Sequence, residues 1–178
     1  MKYLLFLGYP IGVCNIGENT LFNVQKDNQI VGLGRYGYNI WKHTFKGIKF
    51  QDFRVFINSQ CESYQKEAQN LISEGFLITL NLENMSKTFE NIKNLKPIRQ
   101  GIGGVVRDNY IQEVLLGNEI IDINTAEYIM WIKSTGDLTI EKISYELMKE
   151  FNISYEESKQ SIGILLKELV GKGLIFLK

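Results

Sequence analysis

The pattern of apolar and polar residues changes its period within one stretch, Glu119–Trp131. Over Glu119–Ile123 the pattern alternates, which places Ile121 and Ile123 on one face of a strand and Ile120 and Asp122 on the other. The following residues have helical spacing. Asn124 is a favourable N-cap, and Glu127 three residues later completes a capping box. The stretch therefore predicts a half-buried strand that runs directly into a helix.

A second stretch, Gln29–Trp41, repeats this pattern at an offset of 90 residues. Six of its apolar positions match six in the later stretch: Ile30, Val31, Leu33, Tyr38, Ile40 and Trp41 correspond to Ile120, Ile121, Ile123, Tyr128, Met130 and Trp131. The match continues into a third helix, where the offset becomes 98. The chain is thus predicted to contain one small unit twice.

The surrounding pattern supplies the other elements of each copy. Each copy has short strand patterns separated by turns, Asp27-Asn28 in the first and Gly117-Asn118 in the second, followed by three amphipathic helices and a closing strand. The predicted fold class is α+β, with two tandem winged-helix-like units, each a three-stranded antiparallel sheet followed by three helices. The predicted boundaries are 1–81 and 99–178. Residues 82–98 form a linker that can be helical, because its apolar residues have helical spacing.

Length and composition agree with this division. The 178 residues, 44% of them hydrophobic and only two of them proline, suit two small ordered domains. The formal net charge is zero, which gives no reason to expect a polyanionic partner. Cys14 and Cys61 are expected to be reduced thiols, and no apolar run is long enough to span a membrane, so the expected location is the cytoplasm.

No group of residues has the spacing of a catalytic or metal site. The single histidine, His43, lies among aromatic residues, and the two cysteines lack ligand spacing. The glycines around Gly32 and Gly103 depart from the dinucleotide and phosphate-loop patterns. The sequence therefore predicts a protein that is not an enzyme and uses no cofactor or metal.

Three helices with a hairpin are also typical of a winged-helix DNA-binding regulator or a protein–protein adaptor, which is the alternative function. A recognition helix needs lysine or arginine for phosphates and bases. The third helices carry Lys66 in the first copy and Lys159 and Lys167 in the second, each among glutamates. Nucleic acid is therefore an unlikely partner, although this alternative stays open.

The second copy carries a recognisable set of residues along its last two strands and its helices: Val114-Leu115-Leu116, Glu119, Asn124, Ala126, Gly136-Asp137, Thr139, Ile143, Leu169 and Gly173-Leu174-Ile175. In this pattern the second copy resembles the PqqD family, the peptide chaperones of pyrroloquinoline quinone biosynthesis, and the wider precursor-peptide recognition elements. The first copy departs from the pattern, with Gly34 in place of Asn124 and Tyr36 in place of Ala126, and is interpreted as a degenerate unit.

This resemblance implies a peptide-binding protein. A precursor (leader) peptide would add as a strand and be presented to a modifying enzyme in ribosomal peptide natural-product biosynthesis. The implied partners are that peptide and that enzyme, with no membrane, and a homodimer is an open alternative. The implied peptide-binding residues are Glu119, Ile120, Ile121, Asp122 and Ile123 on the strand, and Ser158, Ser161, Ile162 and Leu165 on the third helix.

Overall fold

The computed structural model of the chain describes residues 1–17, 19–106 and 111–178. The chain divides into two compact units. Unit 1 contains Met1–Leu80 together with Leu177–Lys178, and unit 2 contains Asn81–Phe176. The predicted α+β class is confirmed, because the described residues form seven helices and several small sheets.

Unit 1 begins with four strands and continues with three helices. Its elements in chain order are β1 (Lys2–Phe6), β2 (Tyr9–Ile16), β3 (Asn19–Lys26), β4 (Gln29–Leu33), α1 (Arg35–Thr44), β5 (Ile48–Lys49), α2 (Phe50–Asn58), α3 (Glu62–Ser73) and β6 (Leu77–Asn81).

These strands form two three-stranded sheets, with orders β5-β1-β6 and β2-β3-β4. The second is an antiparallel meander in which Lys26 pairs with Gln29 across the predicted two-residue turn. Asp27 in this turn has a φ of 53°. Strand β1 thus lies in the sheet β5-β1-β6 and not in the meander, and the strand pattern alone did not predict this separation.

The core of unit 1 lies between its strands and helices. Alternate residues of β3 and β4, Val24 and Leu33, are buried against Ile40 of α1. The helices α2 and α3 contribute further apolar residues to this core: Phe53, Ile57, Ala68 and Leu71. The helical stripes and the strand alternation predicted for the first copy are confirmed at these positions.

Unit 2 has a helix before its strands. Its elements in chain order are α4 (Met85–Ile92), β7 (Pro97–Arg99), β8 (Ile102–Val106), β9 (Ile111–Leu116), β10 (Glu119–Asn124), α5 (Thr125–Lys133), α6 (Ile140–Phe151), α7 (Tyr155–Gly171) and β11 (Ile175–Leu177).

The main sheet of unit 2 is the antiparallel meander β10-β9-β8, and β11 pairs with β7. Leu116 pairs with Glu119 across the turn Gly117-Asn118, as predicted. The sequence pattern predicts the strand β8 over Gly103–Arg107, and Arg107 lies outside the described residues. The short strands β5 and β7 were missed.

Helix α4 lies in the segment that was expected to be a linker. Its apolar residues Met85, Phe89 and Ile92 are buried, and the helix packs on α7. The packing is close at Gly163, where an added Cβ would lie 2.5 Å from the sulfur of Met85. The segment is therefore helical, as its spacing allowed, and it contributes to the core of unit 2.

Candidate functional site

The predicted strand-addition site is the outer edge of β10. In the sheet order β10-β9-β8, this strand has a neighbour on one side only among the described residues. Its faces follow the predicted alternation: Ile123 is buried, Ile121 is half-buried, and Ile120 is 60% exposed. Glu119 and Asp122 are exposed as well.

The register of the hairpin decides which main-chain groups point to the open edge. Across a two-residue turn the flanking residues, here Leu116 and Glu119, form a hydrogen-bonded pair, and the pairs then alternate along the strands. Ile121 and Ile123 therefore bond to β9. The N–H and C=O groups of Ile120 and Asp122 point away from β9, towards the open edge.

A partly buried ion pair occupies one end of this edge. The Nζ of Lys172 lies 2.6 Å from Oε1 of Glu127, whose side chain is buried, and 3.3 Å from the carbonyl oxygen of Asp122. Glu127 completes the predicted capping box, because its Oε2 accepts the N–H of Asn124 at 2.8 Å and the Asn124 side chain accepts the N–H of Glu127. Within the described ranges, the remaining edge groups are the N–H and C=O of Ile120 and the N–H of Asp122.

The helix residues implied by the resemblance lie mostly in the interior of unit 2. Ser158 and Ile162 are buried completely and Leu165 is 6% exposed, whereas Ser161 is half-buried. Ser158 donates its hydroxyl to the carbonyl of Tyr155 at 2.8 Å. Since all three buried residues face the core at helical spacing, they line no open groove in this structure. The accessible part of the predicted site is the strand.

Charged residues on α7 are paired with one another. Lys159 contacts Glu156 at 2.7 Å, and Lys167 contacts Glu168. Hydrogen bonds from the hydroxyl and backbone N–H of Ser154 hold the pKa of the Glu157 carboxyl below its ordinary value. This helix offers no surplus of positive charge to a nucleic acid.

Burial at the start of α7 affects a tyrosine. It raises the pKa of Tyr155 to about 12, with a further contribution from Tyr145. The two rings are stacked with centroids 5.0 Å apart. This pair joins α6 to α7 and lies apart from the edge of β10.

Sequence reasoning found the strand and Glu127 as a cap but missed Lys172. The two residues of the ion pair are 45 positions apart. Their pairing depends on how α7 packs on α5, which no local pattern encodes. A lysine just after the last turn of a helix was the available signal, and it was not specific.

Comparisons with known proteins give few matches. No protein-family model matches the chain, and no curated protein matches it. A solved structure described as PKMT2 from Rickettsia typhi is similar over 98% of this chain and 42% of that chain, with 13% sequence identity and a TM-score of 0.42. This chain therefore spans less than half the length of that protein.

The prediction that the protein is not an enzyme is corrected by this match, because the matched chain carries the name of a protein methyltransferase. At this identity and TM-score, the likeness supports no argument about the fold or the reaction of this chain. No catalytic residue is assigned on the strength of it.

Among the described residues, no helix combines the length and the apolar character needed to cross a bilayer.

Proposed function

We propose that this protein binds an extended precursor (leader) peptide by strand addition at β10 and presents it to a peptide-modifying enzyme. The observation that supports this most directly is the unpaired outer edge of β10, where the main-chain groups of Ile120 and Asp122 point away from the sheet. In this proposal the two units are tandem winged-helix units, and unit 2 is the PqqD-like one.

The peptide would extend the sheet β10-β9-β8 by one strand. Main-chain hydrogen bonds to Ile120 and Asp122 would supply affinity that depends little on peptide sequence, and side chains at alternate positions would supply selectivity. Residues on one face of the peptide would lie beside the exposed Ile120. Ile120 itself pairs with Leu115, which pairs with Ile102 of β8, and all three are exposed. An apolar peptide residue at this position would bury part of that row.

The Glu127–Lys172 ion pair would set the register of the added strand. Because the pair engages the carbonyl of Asp122 and the N–H of Asn124, the peptide would bond first at Ile120 and at the N–H of Asp122. The edge available at β10 is therefore short, and the peptide segment that it holds would be short as well.

The test is a pair of substitutions at Asp122. Asp122→Pro removes the N–H that faces the open edge, while Asp122→Ala keeps it and removes only the side chain. The probe is a peptide selected on the full chain from a display library of random short peptides, titrated by fluorescence anisotropy. We expect Asp122→Pro to weaken binding by about 1–3 kcal/mol and Asp122→Ala to bind like the parent.

Circular dichroism and Trp131 fluorescence establish that both variants are folded. Leu165→Ala is a poor companion test, because this residue is buried and its truncation would report on packing. If every selected peptide binds Asp122→Pro as tightly as the parent, strand addition at β10 is wrong.

A further inference from the structure

The edge of β4 in unit 1 is the counterpart of the β10 edge. In the described part of the chain, the order β2-β3-β4 leaves β4 with a neighbour on one side only. Lys26 pairs with Gln29 across a two-residue turn. By the same alternation, Val31 and Leu33 bond to β3, while the N–H and C=O groups of Ile30 and Gly32 point to the open edge. Gly32 is exposed, and Ile30 is 64% exposed.

Among the residues that the structure describes, no ion pair occupies this second edge. The positions that correspond to Glu127 and Lys172 are Gly37 and Glu74, at the offsets of 90 and 98 residues. Gly37 has no side chain to reach the edge, and the two residues have no opposite charges to pair. Within the described part of the chain, no side chain bonds the outward groups of Ile30 or Gly32. The β4 edge is therefore open over a longer stretch than the β10 edge.

A cavity of about 470 Å³ adjoins the β4 edge. Gln29 and Val31 line it from β4, on the face of the strand that Leu33 shares, and the opposite wall includes Glu74 and Phe76. A strand added to β4 would place alternate side chains on this same face. The cavity therefore lies on the face of the hairpin to which alternate side chains of an added peptide would project.

The charges in this cavity favour a basic side chain. Its one lysine, Lys26, is already engaged, since its Nζ donates to the carbonyl of Glu74 at 2.7 Å and lies 4.6 Å from the centre of the Phe76 ring. Asp27 and Glu74 also line the cavity, and neither carboxylate forms an ion pair within the described ranges. A peptide lysine or arginine entering here would meet these carboxylates and the face of Phe76.

We infer that the β4 edge is a second peptide-binding site, which takes an extended segment by strand addition and holds a lysine or arginine side chain of that segment in the adjoining cavity. The inference rests on the same mode of binding as the proposed function. It uses different residues in a different unit, so either site can fail without the other.

The experiment compares two proline variants of the full chain, Gly32→Pro at the β4 edge and Asp122→Pro at the β10 edge. Peptides selected on the parent protein from the random display library are titrated against both. We expect one class of peptides, enriched in lysine and arginine, to lose at least about tenfold in affinity with Gly32→Pro and to be unaffected by Asp122→Pro. Glu74→Gln should weaken the same class about two- to fivefold at low salt, with a smaller effect at high salt.

A second measurement covers the case in which Gly32→Pro disturbs unit 1, since an added Cβ at this position would lie 3.0 Å from a methyl group of Leu21. Amide hydrogen exchange of the parent protein should slow at Ile30 and Gly32 when a peptide of this class is bound. N-methylation of alternate peptide residues should abolish binding in one register and leave it intact in the other.

The inference is overturned if no selected peptide depends on Gly32 or protects these amides, including the case in which the library yields no binder. Peptides that all depend on Asp122 alone would overturn it while supporting the proposed site in unit 2. Peptides that depend on Gly32 alone would support it and refute strand addition at β10.

Discussion

The two units start their helices in different ways. In unit 2 a side chain caps each of the three helices α5, α6 and α7, and two of these caps are complete capping boxes. In unit 1 none of the helices α1, α2 and α3 has a side-chain cap. The N-cap residues of α5, α6 and α7 are Asn124, Thr139 and Ser154, and those of α1, α2 and α3 are Gly34, Lys49 and Cys61.

The buried apolar positions, in contrast to the helix caps, are the same in both units. Leu33 and Ile123 are buried in equivalent strands, and Ile40 and Met130 are buried completely in the helices that follow. The helices α1, α2 and α3 of unit 1 therefore form where their apolar faces pack, without the side-chain N-caps that α5, α6 and α7 have. Tertiary packing rather than capping supplies most of the stability of such short helices.

The largest expected effects come from the shared core positions. Leu33→Ala and Ile123→Ala should each cost about 2–5 kcal/mol in the unit that contains them, because each leaves a cavity beside a packed helix. Ile30→Ala and Ile120→Ala serve as controls on the exposed face of the same strands and should change the stability by less than about 0.5 kcal/mol.

Urea unfolding followed by tryptophan fluorescence can resolve the two units, since each contains one tryptophan, Trp41 or Trp131. Variants that keep a single tryptophan report on one unit at a time. A cost for Leu33→Ala no larger than that of Ile30→Ala would break the equivalence of the two strands.

The Glu127–Lys172 ion pair should give the next largest effect. Lys172→Met keeps the aliphatic chain and leaves the buried carboxylate of Glu127 without its ammonium partner, at a cost of about 2–3 kcal/mol to unit 2. Adding Glu127→Gln should recover part of this loss. The Lys172 side chain is 29% exposed, so the cost should lie below that of a fully buried pair.

Lys149→Met is the matched control, because its contact with Glu146 is long, at 3.8 Å, and exposed. It should have almost no effect on stability. The free energy of unfolding is measured with urea at Trp131. If both lysine variants lower it equally, the Glu127–Lys172 pair stabilises unit 2 no more than the exposed Lys149–Glu146 pair does.

A smaller change is expected at the helix caps. Asn124→Ala should destabilise unit 2 by about 1 kcal/mol, and Asn124→Ser should retain most of the stability. In the opposite direction, Gly34→Asn should stabilise unit 1 by a few tenths of a kcal/mol. The site can accept it, since Gly34 has an extended backbone and no atom lies within 4 Å of an added Cβ. Thermal unfolding of each single-tryptophan form measures both changes. If Gly34→Asn destabilises unit 1, the statement that α1 lacks only a side-chain cap is wrong.

The smallest expected effect is a pH dependence at the start of α7. Because its hydrogen bonds with Ser154 lower the pKa of Glu157 in the folded state, they stabilise the helix above the ordinary carboxyl pKa. The benefit is lost as the pH falls through the lowered value. Glu157→Gln should therefore lower the melting temperature of unit 2 slightly at neutral pH and leave it unchanged in acid. A drop of equal size at both pH values would assign the effect to packing.

Features that depend on neighbouring residues in the sequence were predictable. The box Asn124/Glu127 and the two hairpin turns, Asp27-Asn28 and Gly117-Asn118, follow from spacings of three residues or fewer.

Features that depend on distant pairing were not predictable. The strands β5 and β7 contain two and three residues, too few for a pattern, and they exist only through their partners β1 and β11. The burial of Ser158 and Leu165, and the contact of Lys172 with Asp122, depend on how α7 packs in unit 2. The sequence thus predicted β10 and α7 as elements, but it did not show that Ser158, Ile162 and Leu165 are buried.

The pairing of Leu177 has a consequence for the order in which the units are completed. The carbonyl of Leu177 accepts the N–H of Gly8 at 2.6 Å, and Leu177 forms a parallel bridge with Leu7, so this late residue belongs to unit 1. During synthesis on the ribosome, residues 1–80 are made before Leu177 and lack this partner until residues 81–176 have been made. Unit 1 therefore becomes complete only after unit 2, and its backbone at Leu7–Gly8 lacks the contacts with Leu177 while unit 2 folds.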